Sequence, residues 1–388
     1  MSRFQSYLNS AETILKTYRG VEPFSIYIKS FFAEHKKFGS TDRRVITNLC
    51  YAYFRTGKSL ANFALQEKIL ISLFLTSTKS NPVLAAIKPA WDEKVQLTVA
   101  EKISSLDISL AATDLFPYEK ELTTALDKEE FVWSFLTQPD LFIRLRPGKA
   151  NKVVSMLSDA GIDFEKETET CLRLASGVKV DEFISLNRDA VIQDYSSQQV
   201  GELFDLVGER SHWTIWDACA ASGGKSILAK DKLGKIELTV SDLRDSILNQ
   251  LKKRLLQAEV SVYHSFQTDL TKAIQPMGQS GFDLIIADVP CTGSGTWART
   301  PEQLFYFDEE SINKYANTQK AIVSNLISHL KKGGYLLYCT CSVFKKENEE
   351  VVEHLQKSAG LELVTAKLFA GASKKADTLF SALLRKPQ

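Results

Sequence analysis

WTIWDACAASGGKSILAKD, residues 213–231, decides the fold. WTIWDA is aromatic and β-branched, as a strand is, and CAASGGKSILAKD turns through small residues into a helical pattern. The same unit then recurs. IELTVSD (236–242) reads as a strand and LRDSILNQLKKRLLQA (243–258) as an amphipathic helix. VSVYHS (260–265) and FDLIIADV (282–289) read as further strands. SINKYANTQKAIVSNLISHLKKGG follows as a helix closed by Gly333, and YLLYCTC (335–341) as another strand. Strand–loop–helix alternation predicts an α/β domain, a mostly parallel sheet with helices on both faces. In such sheets ligands bind beyond the carboxyl ends of the strands, at the switch point.

The most distinctive residues fall at those ends. The loop DACAASGGKS (217–226) brings backbone N–H groups close to an anionic or carboxylate-bearing ligand at a helix start. A phosphate loop would need glycine where Cys219 stands, and no G-x-G-x-x-G fingerprint is present, which argues against a nucleoside triphosphate and a nicotinamide enzyme. Asp242 ends the second strand, where a carboxylate accepts from ribose hydroxyls. Asp269, after the third, is placed to hold an adenine amino group. Either alone also reads as a turn residue. Together with the loop they point to an adenosine cofactor without a long phosphate chain, and S-adenosyl-L-methionine fits. The fourth strand ends in ADVPCTGSGTWARTPE (287–302), where Pro290 forfeits a ladder bond and TGSG packs nothing, the pattern of a functional loop.

Upstream, residues 129–205 read as a small α+β module. LFIRLRP (141–147) alternates apolar and basic residues, so Arg144 and Arg146 share a face suited to phosphate contacts or surface salt bridges. Residues 1–128 read as all-helical. TDRRVITNLCYAYFRTG carries Val45, Ile46, Leu49 and Tyr53 at helical spacing and stops at Gly57. His35, Lys36, Lys37, Arg43, Arg44, Arg55 and Lys58 make either a solvated face or an RNA-facing patch.

Composition sets limits on function. The chain has 388 residues, 44% hydrophobic and 24% charged, so two or three globular domains are expected. A net charge of +1 confines any nucleic-acid surface to a local patch. No signal-type h-region or long apolar run is present, which predicts a cytoplasmic protein with no membrane partner. Six scattered cysteines fit reduced thiols, and five dispersed histidines without a Cys-x-x-Cys knuckle predict no metal. Nothing demands more than a monomer.

DACAASGGKS, ADVPCTGSGT with its trailing RTPE, and YCTCSVFKKENEEVV (338–352) resemble the motifs of the Sun/RsmB-type RNA cytosine-5 methyltransferases. VIQDYSSQQVGELF (191–204), FIRLRP and ADTLFSALLRK (376–386) resemble that family's pre-catalytic segment, small RNA-binding module and last strand. STDRRVITNLCYAYFR resembles the NusB-like domain of the bacterial ribosomal RNA branch. The resemblance implies three parts: a NusB-like domain (1–128), an RNA-binding module (129–205) and a Rossmann-like methyltransferase domain (206–388).

It also implies the site. Cys341 would be the nucleophile, Cys291 would assist elimination, and Asp288 would orient and activate the base. Cys219, Ala220, Ala221, Ser222, Gly223, Gly224, Lys225, Asp242, Asp269 and Asp288 would surround S-adenosyl-L-methionine. Arg144, Arg146 and Arg299 would contact RNA, ribosomal RNA by resemblance, with Trp297 either beside its path or packed. Ser222 stands where the family has proline, Val289 where alanine is frequent, and Thr378 where glycine is usual, leaving that turn open. The chemistry agrees. Cytosine C5 is a poor nucleophile until a thiolate adds at C6, so a reactive thiol, an acid and a releasing group are required. The competing readings are a non-catalytic RNA-binding assembly factor on the same fold, a Rossmann dehydrogenase, and an adenine amino-methyltransferase, which would want an aromatic at Cys291. Cys339, inside its strand, reads as packing.

Overall fold

The computed structural model describes residues 2–273 and 281–388. They form two compact units that do not follow chain order. One comprises Met1–Lys120, Asp127–Gln138 and Thr296–Asp308, and the other Glu121–Leu126, Pro139–Gly295 and Glu309–Gln388.

The first unit is helical. Helices Arg3–Thr17, Phe24–Glu34, Ser40–Arg55 and Leu65–Thr76 bury Ile14, Phe24, Leu49, Phe54 and Phe74 in one core. Segment 296–308 is part of this unit. Glu302 accepts the Phe24 amide at 3.1 Å, and Arg55 donates to the carbonyls of Phe135, Thr137 and Ala298 at 2.8, 3.0 and 2.9 Å. Arg55 therefore leaves the cationic patch expected of it, because its guanidinium satisfies three carbonyls inside the unit. Trp297 is likewise a packing residue, buried against Phe116 and Phe307.

The second unit holds two sheets. The smaller contains β1 (Leu141–Leu145), β2 (Phe164–Thr168), β3 (Cys171–Leu174) and β4 (Ala190–Ile192) in the antiparallel order β2-β3-β1-β4. The larger contains β5 (Trp213–Asp217), β6 (Ile236–Asp242), β7 (Val262–Gln267), β8 (Phe282–Asp288), β9 (Leu330–Thr340), β10 (Glu362–Phe369) and β11 (Leu379–Arg385). Its order is β10-β11-β9-β8-β5-β6-β7, parallel except around β11. Helices cover both faces, and near-continuous apolar strands such as β8 reflect burial on both sides. The α/β, Rossmann-like class and its preceding α+β and helical parts are thus present.

Two further expectations change. Gly333 does not close a helix: the helix Glu310–Leu326 ends earlier, and β9 starts at Leu330. The Gly333 amide donates to Lys386 and the Lys386 amide to Gly334, both at 2.9 Å, so pairing with the chain end draws this segment into the sheet. Arg144 of β1 and Arg146 just past its end do turn to the same partner, but they are not offered to phosphate. Both grip Asp231 of the helix Gly224–Leu233 at 2.6 Å, with side chains only 6% and 11% exposed. A buried carboxylate carried by the neighbouring helix outcompetes solvent for both guanidiniums.

This ion cluster joins the small sheet to the larger one, and removing one member strands two buried cations. Asp231→Ala should therefore lower stability in urea unfolding by about 3–5 kcal/mol. A loss under about 1 kcal/mol, the range of an exposed pair, would contradict the assignment.

Candidate functional site

The carboxyl ends of β5, β6, β8 and β9 lie side by side, and their loops carry the residues singled out from sequence. After β5 the chain makes a tight crossing. The Ala218 amide donates to Ile286 of β8 and the Ala220 amide to Ser241 of β6, both at 2.9 Å. Gly223 has φ +79°, and a Cβ there would sit 2.3 Å from Leu251 Cδ1, so any side chain would be strained and would have to displace Leu251. Ala221 is also left-handed, at φ 44°, an uncommon state for a residue with a Cβ. Arg254 donates to the Ser222 carbonyl at 2.9 Å, restraining the loop where the sequence lacks the expected proline. Cys219 and Ala220 lie within the crossing. Gly224 begins the helix, so its first N–H groups lack intrahelical partners.

Four charged side chains surround this loop. Asp242 accepts from the Ala221 and Arg244 amides at 3.1 and 3.0 Å, and each oxygen keeps a further acceptor position. Lys225 and Asp288 form an ion pair at 2.6 Å. Burial opposes the ammonium, but the charge and hydrogen bond of Asp288 outweigh it and hold Lys225 above its ordinary value. Asp217, the last residue of β5, accepts from Ser226 at 2.5 Å through one oxygen, while its other oxygen is buried without a partner. Burial pushes its carboxyl up to about 7. Asp269 is placed differently. Its carboxylate accepts from the Thr271 amide and hydroxyl and pairs with Lys272, so it closes its own turn.

The two cysteines converge. Cys291, three residues past β8, and Cys341, immediately past β9, have sulfurs 3.2 Å apart. The hydrogen bond with Cys341, burial and nearby negative charge hold the Cys291 thiol well above its ordinary value. Cys339 is buried in the core and accepts from Ser381 at 3.3 Å. TGSG does pack. Ser294 and Gly295 are buried, and a Cβ on Gly295 would lie 1.9 Å from the Thr378 carbonyl oxygen. Thr378, just before β11, donates its amide to the Gly295 carbonyl at 2.9 Å and has no positive φ, so no glycine turn is needed there. Arg299 is half-buried in the segment that folds with the helical unit.

Sequence reading missed Glu347. KKENEE looks like a solvated charge run, yet Glu347 is fully buried and binds the residues after both cysteines. Among the described residues no group of three or more His, Cys, Asp or Glu is arranged to hold a metal ion. None of their helices is long and apolar enough to cross a membrane.

Residues 206–383 match the family model described as 16S rRNA methyltransferase RsmB/F. The chain is 30% identical over 222 residues to the probable ribosomal RNA small subunit methyltransferase B of Bacillus subtilis, covering 56% of this chain and 49% of that protein. It is 29% identical over 224 residues to ribosomal RNA small subunit methyltransferase B of Pasteurella multocida, covering 56% and 50%. The chain thus spans about half the length of the curated relatives it matches. In fold it resembles the crystal structure of PH0851 (TM-score 0.67, 18% identity, 94% and 95% covered). It also resembles NSun6 from Pyrococcus horikoshii with SFG (TM-score 0.58, 16% identity, 71% and 97% covered).

A raised carboxyl makes folding favour the protonated form, so the contribution of Asp217 is fully present below its unfolded value near 3.8 and is lost as pH climbs through about 7. Asp217→Asn should leave the melting temperature near wild type at pH 4 and raise it progressively relative to wild type towards pH 7. Parallel melting curves for the two proteins across that range would contradict the buried, unpartnered oxygen.

Proposed function

We propose that this chain, whose residues 206–383 match the RsmB/F methyltransferase family model, methylates C5 of a cytosine in RNA through a covalent Cys341–C6 bond. Small-subunit (16S) ribosomal RNA is the proposed substrate, in keeping with the descriptions of the family and of the curated relatives. The observation that carries the reading is the pair of sulfurs 3.2 Å apart past the ends of β8 and β9, with Asp288, paired to Lys225, as the last residue of β8. Two thiols this close suit one attacking and one releasing role at a single carbon–carbon bond.

The loop after β5 fits S-adenosyl-L-methionine. Its Gly223 cradle, the helix start at Gly224 and the spare acceptor positions of Asp242 match a compact ligand carrying an amino acid carboxylate and a ribose. When bound, that group supplies an electrophilic methyl. Lys225 fixes Asp288, whose carboxyl group then orients the cytosine edge and favours addition at C6. The Cys341 sulfur bonds to C6 and makes C5 electron-rich. Once C5 carries the methyl, its proton passes to a Cys291 thiolate and on to solvent, the C5–C6 double bond re-forms, and the Cys341–C6 bond breaks with its electrons returning to the Cys341 sulfur. A base stacked in a duplex cannot present C6 to a thiol, so the target is single-stranded or flipped out.

RNA would be held at a distance by exposed cations of the helical unit. Lys29, His35, Lys36, Lys37, Arg43 and Arg44 are exposed, and Lys29 and Arg43 line a cavity of about 550 Å³ with Phe32 and Tyr51. Cationic side chains beside aromatic rings suit backbone and base contacts together.

Incubation with tritiated S-adenosylmethionine and ribosomal RNA from undermethylated cells should yield 5-methylcytosine, and its absence would reject the reaction. Cys341→Ala should abolish turnover, whereas Cys291→Ala should accumulate a covalent RNA–protein adduct. An inactive Cys291→Ala protein with no adduct would overturn the division of roles.

A further inference from the structure

Glu347 is a fully buried carboxylate with no role in the chemistry above. One oxygen accepts from the hydroxyls of Thr292 and Ser342, both at 2.6 Å. The other accepts from the Thr292 amide and the Gln319 side-chain amide, both at 2.9 Å. Thr292 follows Cys291, and Ser342 follows Cys341. Gln319 also donates to the carbonyl of Pro290, the residue before Cys291, at 3.0 Å.

The backbone around Glu347 is fastened too. Tyr338 Oη donates to its carbonyl at 2.5 Å, and Asn348 donates to the Ser342 carbonyl at 2.9 Å while accepting from Thr340 at 2.6 Å. A buried carboxylate is expensive unless its acceptor positions are filled, and here four donors fill them. Burial raises its carboxyl above the ordinary value, and the hydrogen bonds of Ser342 and Thr292 oppose that. A core glutamate serving stability alone could draw donors from anywhere. Three of these come from the residues that follow the two cysteines, and the fourth, Gln319 of the helix Glu310–Leu326, also holds the Pro290 carbonyl.

We propose that Glu347 is a positioning residue that locks the Cys291 and Cys341 loops together and so sets the distance between the two sulfurs. Its consequence for turnover rests on the cytosine-5 reading; its effect on the sulfurs does not. The geometry also separates position from charge. In Glu347→Gln the amide oxygen can keep the two N–H donors, while the amide nitrogen meets two hydroxyls that can turn to accept. Glu347→Gln therefore keeps the lock without the charge. Glu347→Ala removes it, and Glu347→Asp keeps the charge but shortens the reach.

The test is the rate of Cys291–Cys341 disulfide formation in the intact protein with diamide, which takes up the two protons and two electrons released by the thiols. Peptide mass spectrometry follows the bond, with alkylation of Cys219 as the control. Glu347→Gln should cross-link within about twofold of wild type, and Glu347→Ala and Glu347→Asp at least about tenfold more slowly, as proximity is lost. With an active wild type, kcat should fall in the same order while KM for S-adenosylmethionine stays unchanged. Cross-linking of Glu347→Asp at the wild-type rate would overturn the proposal, whether or not the alanine variant folds. If wild type makes no 5-methylcytosine but the cross-linking order holds, the cytosine reading fails and the positioning role stands.

Discussion

The site depends on β8 pairing with β5, across from β6. After β7, at one edge of the sheet, the chain returns past β5 and lays β8 along its free side, with Asp217 opposite Ile286. β9 then adds beyond β8, with Asp288 opposite Cys339. That reversal puts the carboxyl ends of β5 and β8 side by side with helices leading away, so a cleft opens between their loops. The loop after β5 reaches both neighbours through its amides, and the Lys225–Asp288 pair spans the same divide. Without this strand order, Cys291 and Cys341 would not meet.

Charge is concentrated where that cleft opens. Asp217, Lys225 and Glu347 are all buried around it, an arrangement that a merely stable core would avoid by using apolar residues. Each is held by specific partners: Ser226 for Asp217, Asp288 for Lys225, and four donors for Glu347. Asp231 does similar work away from the cleft, neutralising Arg144 and Arg146 where the small sheet meets the helix after β5. Burial turns these groups from surface charges into fixed geometry.

Much of this was legible in the sequence, and the failures have physical causes. β5, β6, β8 and β9 contain apolar runs closed by Asp or by loop residues, so local pattern sufficed for them, whereas β10, exposed along most of its length, went unread and β11 came only from the resemblance. Cys341 and Cys339 could be told apart because only one lies at the strand's carboxyl end. Arg144 and Arg146 were placed on the right face, but their partner Asp231 is more than eighty residues away, and pattern does not report distant neighbours. Gly333 looks like a helix stop, yet its amide pairs with Lys386 near the chain end. Glu347 sits among charged residues that resemble a solvated run, and only the fold reveals its burial. Nor could pattern show that residues 296–308, directly after the Cys291 loop, fold with the helical unit.

The central claim, that Cys341 makes the bond to C6, is tested most directly by RNA carrying 5-fluorocytidine. Fluorine at C5 leaves no proton to remove, so release is blocked and the enzyme–RNA bond persists. In the presence of S-adenosylmethionine, digestion and mass spectrometry should place the nucleotide on Cys341. Attachment at Cys291, or no attachment by a protein that methylates ordinary RNA, would contradict the account.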